Sequence, residues 1–176
     1  MRKNIAGVIV GMIVVLGLSA CSKDEAASRV EAPRAVAPAG AMRNLDATQR
    51  GALAKKLDTG GVAHAVWFAT AQNDREAANF QTQLQHVFQE AGWKVQGNAP
   101  VTFPLKAGVF FFMADEEPPD HVRSIEEAFY DAGIDIKAGR GYRRFFEDKK
   151  KEDPGWQGIQ LAPDQDFVLV IGRNPG

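Results

Sequence analysis

Val109-Phe110-Phe111-Phe112-Met113 is an unbroken apolar run in the second half of the chain. Five consecutive apolar residues, three of them phenylalanine and none glycine or proline, make a strand. A strand apolar at every position is expected to be buried on both faces, as central strands of α/β sheets are. The residues after it fit that setting. Pro118 and Pro119 suit a helix's first turn, where no backbone donor is needed. Val122, Ile125, Ala128, Phe129 and Ala132 then recur at helical spacing as one buried face. Gly133 closes that helix, and residues 134–137 read as a short second strand.

The same order of features lies upstream. Residues 62–70 read as a strand centred on Val66-Trp67-Phe68. Asn73 is expected to cap a long helix, with Glu76 as its capping-box partner. Ala77, Phe80, Leu84, Val87, Phe88 and Ala91 form its stripe, Gly92 ends it, and residues 93–96 start a short strand. At an offset of 41 residues, Phe88-Gln89-Glu90-Ala91-Gly92-Trp93-Lys94-Val95 falls on Phe129-Tyr130-Asp131-Ala132-Gly133-Ile134-Asp135-Ile136. Asp74 and Glu76 fall on Asp115 and Glu117. Only five of the 31 aligned pairs are identical, so shared packing rules explain the likeness as well as common descent does.

Outside these units, residues 46–57 read as a short helix and Phe167-Val168-Leu169-Val170-Ile171 as the last strand. Residues 138–165 read as irregular and charged. The expected fold is therefore α/β (or α+β): a mixed sheet of two β-α-β units plus a C-terminal strand, in one domain over residues 45–176. Strands at 66–69, 109–113 and 167–171 belong in the centre, and those at 94–96 and 135–137 at the edges. A ferredoxin-like sandwich is the alternative layout.

Chemistry is sparse. His64, His86 and His121 share no metal-ligand spacing. Past residue 21 the serines are Ser22, Ser28 and Ser124, none in a nucleophile elbow. Gly139-Arg140-Gly141-Tyr142 lacks the spacing of a phosphate cradle. Asp115, Glu116, Glu117 and Asp120 follow a central strand, where open α/β sheets bind ligands. Acids at that place also complement a helix dipole, which alone explains them. A metal-assisted enzyme using Asp115, Glu117, Asp120 and His121 is the alternative. Charge is segregated: residues 115–135 hold eight acids and one base, and residues 137–151 hold seven bases and two acids. Lys137, Arg140, Arg143 and Arg144, interleaved with Tyr142, Phe145 and Phe146, are the candidate anion-binding surface. Solvated pairing of the basic segment with the acidic helix is the plainer explanation.

The N-terminus carries a different kind of signal. Arg2 and Lys3 precede fourteen uncharged residues (5–18), and Leu18-Ser19-Ala20-Cys21 follows, with the only cysteine of the chain. A membrane span needs about 20 apolar residues, more than this stretch has, whereas a signal-peptide h-region needs about 7–15. The arrangement resembles a bacterial lipoprotein signal peptide and its lipobox. That resemblance implies cleavage before Cys21 and lipidation of its thiol, which would leave no free cysteine for catalysis, disulfides or metals. Ser22, where an aspartate commonly marks inner-membrane retention, favours the outer membrane facing the periplasm. Residues 22–44, with seven alanines, two prolines and no aromatic residue, read as a flexible tether. Loss of residues 1–21 removes Arg2 and Lys3, leaving 19 bases against 22 acids. That balance gives no cue for nucleic acid.

Two further resemblances concern the domain. The stretch Ala132 to Tyr142 is similar to the closing part of OmpA-like peptidoglycan-binding domains. Their ligand-binding aspartate and arginine patterns have no counterpart here, so no site is carried over. The doubled β-α-β plan is similar to the SPOR domain, a peptidoglycan binder. The sequence thus points to a lipid-anchored envelope protein that binds or scaffolds without catalysis and without a cofactor. Its expected partners are the membrane, through the anchor, and peptidoglycan, anionic lipid or an envelope protein complex.

Overall fold

The computed structural model describes residues 42–176; Cys21, its signal and the tether up to residue 41 lie outside the described residues. In chain order the elements are α1 (Ala47–Leu57), β1 (Ala65–Ala71), α2 (Arg75–Glu90), β2 (Lys94–Val101), β3 (Val109–Met113), α3 (Asp120–Asp131), β4 (Ile136–Gly139), α4 (Tyr142–Glu152) and β5 (Phe167–Ile171). They form an α/β fold on one five-stranded mixed sheet of order β2-β1-β5-β3-β4. β1 runs parallel to both β2 and β5, β3 runs parallel to β4, and β3 meets β5 antiparallel. The two strands of each β-α-β unit are immediate neighbours, whereas a ferredoxin-like sandwich splits them. Of the two expected layouts, the unsplit mixed sheet is the one formed. β1, β5 and β3 are central and β2 and β4 are edges, as the apolar runs indicate.

The internal likeness is visible at the helix ends. Ala91 N–H donates to Val87, Gly92 to Gln89 and Trp93 to Phe88. Ala132, Gly133 and Ile134 repeat those bonds to Ala128, Tyr130 and Phe129. Both closures need left-handed backbone, supplied by Gly92 (φ 90°) and Gly133 (φ 65°).

Several local expectations are corrected. Asn73 occupies a left-handed turn (φ 60°), and Asp74 is the cap of α2, accepting from the Ala77 N–H at 2.9 Å. With Asp74 as the cap, Ala77 holds the capping-box position and Glu76 is out of register for it; Arg43 engages both of its carboxylate oxygens instead. β2 runs to Val101, longer than its polar start implied, because it pairs with β1 along its length. Pro119 is the N-cap of α3, so both prolines precede the helix. The stretch read as irregular contains α4, of which only Tyr142 is fully buried. Tyr142, Phe145 and Phe146 stand at helical spacing, but the other eight residues are all charged, so the segment reads as polar surface.

The sheet has two unequal faces. α1, α2 and α3 cover one, burying Leu53, Leu57, Phe80, Leu84, Phe88, Ile125 and Phe129 against Phe68, Phe111, Phe167 and Leu169. The opposite face carries a smaller cluster around Ala69, Tyr142, Leu161, Val168 and Val170. There Trp67, Phe110 and Phe112 are only partly buried. β3 therefore alternates after all: Val109, Phe111 and Met113 are buried, while Phe110 and Phe112 are half-open. The expectation of burial on both faces holds for β5, all five residues of which are buried, and fails for β3.

Candidate functional site

That half-open face forms an aromatic hollow of about 600 Å³. Phe110 and Phe112 of β3 make its floor, with the buried Val170 of β5 beneath them. The segment Phe103-Pro104-Leu105-Lys106 is one wall, and Tyr142, Phe145 and residues 156–159 are the other. The hollow is built by stacked rings. Phe110 and Phe112 stack at 6.1 Å, and Phe112 stacks on Tyr142 at 4.6 Å with ring planes 13° apart. Trp156 meets Phe145 and Phe146 edge-on at 5.8 and 5.6 Å. Such pairs hold their geometry because ring edges and faces carry opposite partial charge.

Backbone contacts fix both walls. Tyr142 Oη accepts from the Ile159 N–H at 3.1 Å, tying α4 to the loop after it. Burial pushes the Tyr142 phenol above its ordinary pKa, keeping it protonated. Gly158 lets the Trp156 indole lie where a Cβ would stand. On the other side, Gly172 and Gly108 share a backbone bond at 2.9 Å, and a Cβ on Gly172 would strike the Lys106 carbonyl.

Among the described residues the lining contains no carboxylate, histidine, serine or cysteine, and its charged members are Lys106 and Arg140. Lys137 borders it, with its ammonium 5.6 Å from the Phe110 ring centre. The four basic residues singled out in the sequence are not gathered into one patch. Lys137 and Arg140 face the hollow's edge, and Arg140 lies 3.4 Å from Glu126. Arg143 is occupied internally, donating to the carbonyls of Ala162 and Gln165 at 3.0 and 3.1 Å. Arg144 points to solvent, 83 % exposed, with Asp148 at 3.8 Å.

The acidic loop is dispersed too. Asp115, Glu116 and Glu117 are exposed. Glu116 packs against Gly141 at the start of α4, placing a carboxylate at that helix's positive end. Asp120 pairs with Arg123. His121 stacks on His64 with centroids 4.1 Å apart and lies 3.6 Å from Asp166. Burial and the neighbouring His64 hold the His121 imidazole below its usual pKa, with Asp166 and Asp120 opposing. Among the described residues no three His, Cys, Asp or Glu side chains converge as a metal site, and no helix is long and apolar enough to cross a membrane.

Phe103, Leu105, Phe110, Phe112 and Trp156 were not singled out as site residues by sequence reasoning. The signal for them was surplus: β3 and the 145–156 segment carry more aromatic residues than burial uses. No family model matches this chain, and comparison with curated proteins and with solved structures finds no match.

Proposed function

We propose that this chain is a lipid-anchored bacterial envelope protein whose folded domain binds a ligand, without chemistry, in the aromatic hollow of its half-open sheet face. The observation that carries the binding assignment is the hollow itself. Its volume lies within the roughly 300–1,000 Å³ usual for ligand sites, and its lining is predominantly apolar with a few polar groups, as such sites are. Aromatic surface left partly open on a central strand needs a reason, and an occupant is the simplest one. The lining offers cations and rings rather than a nucleophile or a general base near neutrality, which supports binding over catalysis. The anchor assignment is supported by the lipobox, with Cys21 as the lipidated residue, at the outer membrane and facing the periplasm. Peptidoglycan or an envelope protein complex is the alternative partner, through the exposed basic side chains Lys137, Arg140 and Arg144.

Two measurements test this reading. Mass spectrometry of the N-terminal peptide, with fractionation of Cys21→Ala, reports on the anchor; membrane retention of the variant at full precursor mass would sink it. Co-sedimentation with purified peptidoglycan reports on the alternative, which charge reversal at Lys137, Arg140 and Arg144 should abolish if it holds.

A further inference from the structure

We infer that the hollow accepts the hydrocarbon chain of a single-chain amphiphile bearing a carboxylate, that is, a fatty acid. This rests on reading the hollow as a binding site and adds the ligand's chemical class.

Two independent features lead there. The first is a poverty of hydrogen-bonding partners. The floor is Phe110 and Phe112 with Val170 beneath them, and the Tyr142 hydroxyl is already tied to Ile159. Besides Tyr142 and the Trp156 indole, Gln157 in the wall is the one neutral polar side chain among the described lining residues. A peptide or a glycan laid on the floor would therefore bury most of its amides or hydroxyls without partners, each at a cost that disfavours the complex. A methylene chain has no such groups and gains from every apolar contact.

The second feature is charge. Lys106 precedes β3 and Arg140 follows β4, so the two cations stand at opposite ends of the hollow. The β3 floor between them is about 13 Å long at about 3.3 Å per residue. Lys137 adds a third positive charge beside Phe110. Among the described residues no carboxylate lines the hollow; Arg140 keeps Glu126 at 3.4 Å outside the lining, whereas Lys106 has no hydrogen bond or ion pair through its side chain among the described residues. A chain lying along β3 brings its anionic head to Lys106 in one direction and to Arg140 in the other. A neutral or cationic amphiphile of the same length gains the apolar contact and forfeits the charge.

Trp156 in the wall provides the readout. The full chain, held in zwitterionic phosphatidylcholine nanodiscs, is titrated with 8-bromooctanoate, 8-bromooctanol and a trimethylammonium analogue, the bromine quenching tryptophan on contact. A bromophenylalanine peptide flanked by aspartates is the fourth probe. The acid is expected to quench saturably and bind about tenfold more tightly than the alcohol, with the cation weakest. Trp156→Phe should remove the quenching, and Gly139→Leu, whose Cβ meets Phe112 at 3.4 Å, should fill the hollow and block acid and alcohol alike. Lys106→Gln with Arg140→Gln, both at exposed positions, should weaken the acid about tenfold and leave the alcohol unchanged. Equal binding of acid and alcohol, or no effect of the double substitution, would overturn the fatty-acid assignment. Quenching by the acidic peptide alone would overturn it too while keeping the hollow as a site. If no probe quenches Trp156, both the ligand class and the site fall.

Discussion

Arg43 grips Glu76 through two bonds, Nε to Oε1 at 2.7 Å and Nη2 to Oε2 at 2.6 Å, and the same guanidinium donates to the Gly172 carbonyl at 2.7 Å. It also lies over the Phe80 ring at 4.8 Å. A residue that composition assigns to the tether is thus bound to α2 and to the end of β5. Both side chains are mostly buried, at 15 % and 17 % exposure, so an unpaired partner would be left poorly solvated. Glu76→Gln is expected to lower unfolding stability by about 2 kcal/mol, read as a shift in denaturant midpoint at constant slope. An unchanged midpoint would mean that the pair contributes nothing.

Gly172 is where the chain end, β5 and a wall of the hollow meet. A Cβ there would collide with the Lys106 backbone carbonyl, which cannot swing aside as a side chain could. Gly172→Ala is expected to cost about 2–4 kcal/mol and to displace residues 103–108. Thermal denaturation and proteolysis of that segment measure the two effects. Gly51→Ala, with open space around its Cβ and a helical position, is the control and should stabilise slightly.

Trp93 joins two parts of the core. Its indole N–H donates to the Leu57 carbonyl at 2.7 Å in a buried setting, and its ring meets Phe88 and Phe167 edge-on at 5.4 and 6.1 Å. Trp93→Phe leaves that carbonyl unpaired as well as removing volume. A loss of about 2–3 kcal/mol is expected, measured by equilibrium unfolding.

Acid should destabilise the domain through His121. Its folded pKa lies below the unfolded value near 6.5, so the unfolded chain binds more protons in the window between them. The contribution is complete above the unfolded value and is lost as pH falls toward the folded one. His64, stacked against it, disfavours the charge, while Asp166 and Asp120 favour it. His121→Gln is expected to flatten the fall in melting temperature between pH 7 and pH 5. A fall of unchanged steepness would place the acid sensitivity elsewhere.

Much of the fold could be read from residue order, because buried strands and amphipathic helices announce themselves. The apolar stripe of α2, the paired glycines 92 and 133, and the central and edge strands all follow from local periodicity. α4 was passed over although Tyr142, Phe145 and Phe146 recur at helical spacing, because the charged residues around them make the segment look like solvated loop. The Arg43–Glu76 clamp was hidden for another reason: its partners are 33 residues apart, and a capping box explains Glu76 equally well in isolation. The hollow escaped because Phe110 and Phe112 look the same in sequence whether a helix or open space lies above them. Only the placement of α1, α2 and α3 on a single face makes those rings stand out.

The most direct test of the hollow as a binding site is a methyl-resolved NMR titration of the full chain in nanodiscs with octanoate. Leu105, Ile159 and Val170 line the hollow, whereas Leu53, Leu84 and Ile125 lie in the core beyond the sheet. Saturable shifts at the first three, with the second three still, are the expected result. Shifts confined to the second set, or none at all, would contradict it.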